Sequence, residues 1–196
     1  MRLGLPLRAS VAASAATVLL LALSACGDEP EEGPLGTKGE DAPSQASATP
    51  TATPPAKAET RNDAEGREQF ARYVVQALSY AYATNDPTPI TDVAADTPTQ
   101  KCQMCAGFAD HLADQKAKGQ TLAGSSYPVK KIQDTGEVAK GVWVVDVISD
   151  TPAYTQIDTA GKTVKRYPAE KNFVVEIGMT YNKGSYQLTG WKAGEQ

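Results

Sequence analysis

Cys102 and Cys105, with two residues between them, are the side chains with the clearest potential for chemistry in this sequence. A thioredoxin-like redox pair follows a strand and opens a helix within a βαβ unit. Here the pair opens a predicted helix, but a loop rich in Pro and Thr precedes it. A zinc site needs four ligands, and the chain has one histidine and one C-x-x-C. The spacing therefore favours a structural disulfide, with an exchangeable redox pair as the alternative and a metal site as the weakest interpretation.

His111, the single histidine, is the second candidate. It follows Phe108 by three residues, at the edge of the apolar stripe of the same predicted helix, with Asp110 and Asp114 beside it. A His–Asp pair works as acid and base near neutral pH. A solvated surface histidine is the plainer interpretation, so a small hydrolase-like or isomerase-like enzyme built on His111 stays an alternative. We predict no cofactor.

Aromatic side chains give a softer indication of binding. Tyrosines outnumber phenylalanines, and an amphipathic ring suits both cavity walls and the rims of binding sites. We take His111, Tyr80, Tyr82 and Trp143 as candidate pocket residues. Packing at the edge of a core is the competing interpretation for these rings.

The N-terminus carries a third kind of chemistry. Arg2 and Arg8 precede an apolar run from Val11 to Leu23, which is too short to span a bilayer comfortably. The run ends in Leu23-Ser24-Ala25-Cys26, which resembles the lipobox of bacterial lipoproteins. This resemblance implies a signal peptide at 1–25 and a lipidated Cys26 as the mature N-terminus. The expected location is the extracytoplasmic face of the cell membrane, with the lipid anchor in the membrane.

The cysteine count agrees with that interpretation. The chain has three cysteines, and an odd count in an exported protein leaves one thiol to explain. If lipid takes Cys26, Cys102 and Cys105 remain to pair in an oxidising compartment. Residues 26–63 are rich in Pro, Thr, Ala and Glu and have almost no large apolar side chain, so they predict a disordered tether.

Charge limits the partners of the remaining residues, 64–196. The whole chain has a net charge of −4, but this region has 14 basic and 15 acidic side chains. A nearly neutral domain lacks the electrostatic footprint of a nucleic-acid binder. We therefore exclude nucleic acid and expect an envelope protein or a small apolar ligand as partner.

Helical patterns come first in this region. Asn62 and Glu65 predict a capping box, and an apolar stripe follows from Phe70 to Ala81. Pro87 predicts the end of that helix. A short helix is predicted over 89–95 with Thr88 as its N-cap, and a third helix over 102–118 is predicted to stop at Gly119.

Strand patterns follow. Residues 142–148 are rich in valine, and 173–181 alternate between apolar and small or polar side chains. Turns are predicted at 158–162, between arms 153–157 and 163–167, and at 182–185, before a strand at 186–191. Residues 127–133 predict the first strand. Helices followed by antiparallel strands indicate an α+β domain.

The order of these elements resembles the NTF2-like fold, a cone in which N-terminal helices pack on a curved antiparallel sheet within a single domain. More specifically, the run 80–87 (YAYATNDP) followed by C-Q-M-C at 102–105 is similar to an uncharacterised family of actinobacterial lipoproteins, over residues 64–194. That family supplies no catalytic residues to transfer. The sequence as a whole predicts a cell-envelope lipoprotein with a non-catalytic binding or interaction module.

Overall fold

A computed structural model describes residues 52–57 and 61–194 of the chain. The predicted signal peptide and Cys26 lie outside the described residues. Residues 52–57 and 61–63 of the predicted tether form no helix or strand. The elements are α1 (Ala64–Thr84), α2 (Thr88–Thr91), α3 (Gln103–Ala117), β1 (Thr121–Ala123), β2 (Val129–Ala139), β3 (Val142–Thr151), β4 (Tyr154–Ile157), β5 (Thr163–Tyr167), β6 (Glu170–Asn182) and β7 (Ser185–Gly194). The predicted α+β class is confirmed.

The N-cap residue of α1 lies one position later in the sequence than predicted. The carboxylate of Asp63, and not the side chain of Asn62, accepts the Gly66 N–H at 2.7 Å. The Asn62–Glu65 capping box is therefore wrong, because the adjacent aspartate takes the N-cap position. The helix ends where Pro87 predicted, with Asn85 in the left-handed region at φ 56°.

The two following helices are close to their predicted positions. α2 is only four residues long, and Pro87 rather than Thr88 is its N-cap. The predicted helical residues 93–95 instead pair with β7, because the N–H of Leu188 donates to Val93 and that of Ala95 donates to Leu188. α3 stops as predicted at Gly119, which has φ +63° and whose N–H reaches Lys116 O.

Two hydrogen-bonded sheets replace the one curved sheet that the sequence predicted. The large sheet has the order β2-β3-β6-β7 and the small sheet the order β1-β4-β5, and all neighbouring strands are antiparallel. β3 continues into β4, and β5 into β6, but Pro152 and Pro168 lie at the two junctions. Proline has no N–H to donate to a strand ladder, which accounts for the break at this point.

The core lies between the helices and one face of the large sheet. Buried and less buried residues alternate in β3 from 145 to 151 and in β6 from 175 to 179, so Val145, Val147 and Ile177 are buried while their sequence neighbours point to the opposite face. α1 and α3 supply the other half of this core, which includes Phe70, Val74, Leu78, Phe108 and Leu112.

Candidate functional site

Cys102 and Cys105 form a disulfide at the start of α3. Their Cα atoms are 5.3 Å apart, and Cys102 is the N-cap residue, with its Sγ accepting the N–H of Cys105. Their exposed fractions are only 3% and 2%. Both sulfur atoms therefore belong to the core and are withdrawn from solvent.

His111 lies on the exposed side of α3, away from the core residues of that helix. Its Nε2 is 2.8 Å from Nε2 of Gln115. The carboxylate of Asp114, the predicted acid–base partner, instead accepts a hydrogen bond from Lys118 at 2.6 Å. Within the described residues, the structure thus forms no His–Asp pair.

Tyr80 and Trp143 lie in two separate environments. The hydroxyl of Tyr80 donates to Asp86 at 3.2 Å, in the turn after α1. Trp143 packs edge-on against Tyr186, and the Arg67 guanidinium lies 5.8 Å from its ring centroid. Within the described residues, the rings of Tyr80 and Trp143 do not contact each other, and neither of them contacts His111.

Tyr82 is the one candidate pocket residue at the centre of a larger aromatic group. Its ring meets Phe108 edge-on at 5.2 Å, and Phe108 meets Trp191 edge-on at 5.4 Å. Burial, followed by the charges that Tyr154 and Tyr167 carry when ionised, raises the pKa of the Tyr82 phenol. Rings from α1, α3 and β7 therefore contact one another here.

Two stacked pairs complete this group. Tyr154 and Tyr167 face each other across β4 and β5 with their ring centroids 4.5 Å apart. Tyr127, in the loop before β2, stacks on Phe173 at 5.9 Å. We call the whole group the aromatic cluster: Tyr82, Phe108, Tyr127, Tyr154, Tyr167, Phe173 and Trp191. All of these except the buried Phe108 are half-buried, so each of these rings keeps part of its surface exposed to solvent.

Burial governs the electrostatics of the aromatic cluster. It is the main cause of the raised pKa values of Tyr82, Tyr127 and Tyr154. Each phenol therefore stays protonated at neutral pH and is a hydrogen-bond donor. Two charged side chains lie at the margin: Nζ of Lys165 is 4.5 Å from the Tyr167 ring centroid, and Glu170 interacts electrostatically with Tyr127 and Tyr154.

A second concave feature lies on the opposite face of the large sheet. A shallow cavity of about 250 Å³ is lined by Val144, Glu176, Gly178, Thr189, Gly190, Trp191 and Lys192, so Trp191 of the aromatic cluster also borders this cavity. Asp146 pairs with Glu176 across β3 and β6, and burial, followed by the charge of Glu176, raises the pKa of Asp146. This face therefore combines two carboxylates with one ammonium group.

Neither metal ligands nor a membrane span stand out in the described part of the chain. Residues 52–57 and 61–194 contain no group of three His, Cys, Asp or Glu side chains that could hold a metal ion. Within the same residues, none of the helices has the length and apolar character needed to cross a bilayer.

The sequence pointed to Tyr82 but missed most of its neighbours. Phe173 and Trp191 were interpreted only as strand residues, and Lys165 as part of a hairpin arm. One pattern could have identified the Tyr154–Tyr167 pair. The predicted turn at 158–162 places 154 opposite 167 across the hairpin, and residues directly opposite each other project to the same face.

Comparison with solved structures shows a shared fold at low sequence identity. The intermembrane space region of the chloroplast protein ARC6 superimposes with a TM-score of 0.50 at 12% identity, over 69% of this chain and 99% of that one. An uncharacterised protein with a cystatin-like fold from Caulobacter vibrioides gives 0.39 at 14% identity, over 66% and 91%. A protein designated Rd1NTF2_05, with several substitutions, gives 0.35 at 14% identity, over 65% and 99%.

Comparison by sequence places the chain in a family without supplying an activity. No curated protein matches it. The model of one family matches residues 39–192, which is most of the chain. The protein therefore belongs to the Family of unknown function (DUF6318).

Proposed function

We propose that this protein is a cell-envelope lipoprotein of the actinobacterial type, whose folded part is a non-catalytic binding module. Lipid on Cys26 anchors it to the extracytoplasmic face of the cell membrane, and residues 26–63 separate the module from the bilayer. The lipobox-like run at 23–26 and the composition of 26–63 support this topology. The module has an NTF2-like cone architecture, with the ligand at its open aromatic side.

The open aromatic cluster is the observation that carries the binding function. Six half-buried rings lie there, arranged as two stacked pairs and an edge-on chain that runs from Tyr82 through the buried Phe108 to Trp191. Contiguous exposed apolar surface on a soluble domain marks interaction sites, whereas scattered apolar residues do not. Tyrosine and tryptophan suit such sites because they combine an apolar ring with a polar edge. A small apolar ligand fits this surface.

The side chains that suggested chemistry have other roles in the fold, which supports binding over catalysis. The disulfide is buried in the core, where a partner thiol has no access. The carboxylate that could assist His111 is engaged by Lys118. A structural role for Cys102 and Cys105 is therefore favoured over the redox alternative.

Two tryptophans in different places make the binding proposal testable in one experiment. The full chain carrying Cys26→Ser, which keeps it unlipidated, is titrated with 1-ethylnaphthalene as a neutral apolar probe and followed by NMR. We expect the indole N–H resonance of Trp191, in the cluster, to shift and that of Trp143, outside it, to stay. Tyr154→Ala, which removes half of a stacked pair, is expected to weaken binding by about fivefold, from the usual strength of aromatic contacts.

Tyr80→Ala is the matched control. Tyr80 lies on α1, the helix that also carries Tyr82, but its hydroxyl donates to Asp86 outside the cluster. This variant is expected to leave the affinity unchanged. The unshifted Trp143 resonance shows in each variant that the fold is retained. No shift of Trp191, or equal shifts of both indoles, would refute the proposed site.

A further inference from the structure

We propose that the outer edge of β5 is a docking site for an acidic, extended segment of a partner protein, which adds to the small sheet as a further strand. This inference concerns a protein partner and goes beyond the small ligand proposed for the aromatic cluster. Three features of β5 lead to it: an unpaired backbone edge, exposed side chains and unpaired positive charge.

The first feature is the backbone. The small sheet has the order β1-β4-β5, so β5 (Thr163–Tyr167) pairs with a neighbouring strand on one side only. Within residues 52–57 and 61–194, no other segment forms a backbone hydrogen bond to the opposite side of β5. An edge of this kind presents a row of N–H and C=O groups, to which an extended peptide can add as a strand.

Two other edge strands of the fold are less suited to such pairing. The outer side of β7 already exchanges hydrogen bonds with residues 93–95. β2 has three register irregularities against β3, whereas β5 has one against β4. Bulges interrupt the regular spacing of donors and acceptors along a strand. The outer edge of β5 is therefore more regular than that of β2 and, unlike that of β7, is not occupied.

The second feature is the exposure of the β5 side chains. Residues 163–166 are all exposed, and only Tyr167, which stacks on Tyr154, is half-buried. Because successive side chains of a strand point to opposite faces, this pattern leaves both faces of β5 uncovered. Val164 is 50% exposed and offers one apolar contact to an added strand. A partner can therefore approach the edge without displacing any described part of the chain.

The third feature is the charge of this edge. Lys162 precedes β5, Lys165 and Arg166 lie in it, and none of the three forms an ion pair within the described part of the chain. Asp158, the one acidic residue of the β4–β5 hairpin, has a carboxylate that accepts the N–H groups of Ala160 and Lys162. Positive charge on an edge strand repels a second copy of the same edge and attracts an acidic strand.

The location of β5 favours a protein partner over the membrane surface. The Tyr186 hydroxyl donates to Asn62 and to the Asp63 carbonyl, so the residues that follow the tether lie beside the start of β7. β5 joins the other end of the large sheet through β6, which has 13 residues and is therefore roughly 40 Å long. A phospholipid surface also has no strand edge with which the β5 backbone could pair.

Three hexapeptides test this site on the full chain carrying Cys26→Ser. The first alternates glutamate and valine, the second has lysine in place of glutamate, and the third is the acidic peptide with every backbone N–H methylated. We expect fluorescence anisotropy to show the acidic peptide bound about tenfold more tightly than either of the others. Bound acidic peptide should also slow hydrogen exchange at the β5 amides that face outward.

Lys165→Glu combined with Arg166→Glu should weaken binding of the acidic peptide about tenfold and strengthen binding of the lysine peptide. Lys140→Glu combined with Lys183→Glu is the matched control. It changes the net charge equally, at two exposed lysines in turns at the end of the large sheet remote from β5. We expect it to change the affinity by no more than about twofold. The indole N–H resonances of both tryptophans check that each variant is folded.

Several outcomes would overturn this site: equal binding of the acidic and lysine peptides, tight binding of the methylated peptide, or equal losses in the two double variants. Absence of binding by the acidic peptide would overturn it as well. Binding of phosphatidylglycerol vesicles that is lost in the variant at 165 and 166 would then assign the basic edge to a membrane surface. None of these results bears on the aromatic cluster, which the titration with 1-ethylnaphthalene tests separately.

Discussion

Asp86 fixes the turn between α1 and α2 through hydrogen bonds on both sides. Its carboxylate accepts from the Thr88 N–H at 3.0 Å and from the Tyr80 hydroxyl at 3.2 Å. Its own N–H donates to Thr84 Oγ1 at 3.2 Å. Hydrogen bonds from Thr88 are the main cause of its lowered pKa.

The lowered pKa predicts how the stability contribution of Asp86 depends on pH. A folded-state pKa below the unfolded value of about 3.9 means that the carboxylate stabilises the fold above that pH. The contribution is lost as the pH falls through the folded-state pKa. We expect Asp86→Asn to lower the free energy of unfolding by about 1 kcal/mol at pH 7, and progressively less below pH 4, in urea titrations.

Asp110→Asn is a suitable control, because Asp110 is an exposed carboxylate on α3. It is expected to change the stability little at either pH. A stability loss in Asp86→Asn that is the same at pH 7 and pH 3 would contradict the assigned role of the Asp86 carboxylate.

Two of the predicted site assignments could have been corrected from local geometry alone. Tyr80 and Tyr82 are two positions apart on α1, and residues at that spacing point to different sides of a helix. They therefore could not both line one pocket, and the sequence alone was sufficient to show it. Asp114 was likewise within i,i+4 reach of Lys118. The contact of Tyr82 with Trp191 through Phe108 joins three distant segments, and no local pattern indicates it.

At the scale of elements, the disulfide fixes the loop that joins α2 to α3. The Cys102 N–H donates to Ala95 O at 2.9 Å, and the Ala95 N–H donates to Leu188 O of β7 at 2.8 Å. The disulfide thus holds the start of α3 beside a segment that pairs with the large sheet. We infer that its contribution is to the stability of this junction.

Burial of both sulfur atoms predicts resistance to reduction in the folded protein. In the folded protein, dithiothreitol should reduce the disulfide only when the chain unfolds. The rate at which free thiols become available for labelling should therefore rise with urea in step with the unfolding rate. Replacing both cysteines with alanine should lower the free energy of unfolding by about 2 kcal/mol. The comparison sample is the chain fully unfolded in urea, in which reduction is fast. Rapid reduction without denaturant would instead support the exchangeable redox pair.

Elements with strong periodicity were predictable, and polar or very short ones were not. The predicted alternation in β6 is confirmed over 175–179, where one face of the strand is buried, and so is the turn after the strand, but Val174 and Thr180 are buried as well. β2 extends to Ala139, beyond the predicted 133, because it is an edge strand with mostly exposed side chains. β1 has only three residues, too few to form a pattern. The separation into two sheets depends on Pro152 and Pro168, whose effect on pairing is evident only once the strand partners are known.

At the scale of the whole molecule, the proposed anchor is independent of the fold. Acyl chains contribute about 0.8 kcal/mol for each buried methylene, so two or more chains hold a protein stably on a membrane. We expect Cys26→Ser to move the full-length protein from the membrane fraction to the soluble fraction of the producing bacterium, with loss of lipid mass.

Ser24→Ala is the control for this experiment, because it keeps a small residue in the lipobox-like run. It is expected to remain in the membrane fraction. Persistence of Cys26→Ser in that fraction at unchanged mass would refute lipid anchoring through Cys26.

The α+β class followed from the order of helical and strand patterns, and the structure confirms it. The proposed ligand site did not follow, because its rings come from α1, α3, the loop before β2 and both sheets. Such long-range convergence depends on how the sheets are placed, and side-chain periodicity reports only which face of each element is buried.

The proline-interrupted junction between the sheets has a thermodynamic consequence. Because Pro152 and Pro168 donate no backbone hydrogen bonds, the strand ladders do not continue from one sheet to the other at these two positions. Under the proposed function, a ligand packed on rings of both sheets would bind the folded chain and not the unfolded one. The free energy of unfolding is then expected to rise with the concentration of that ligand.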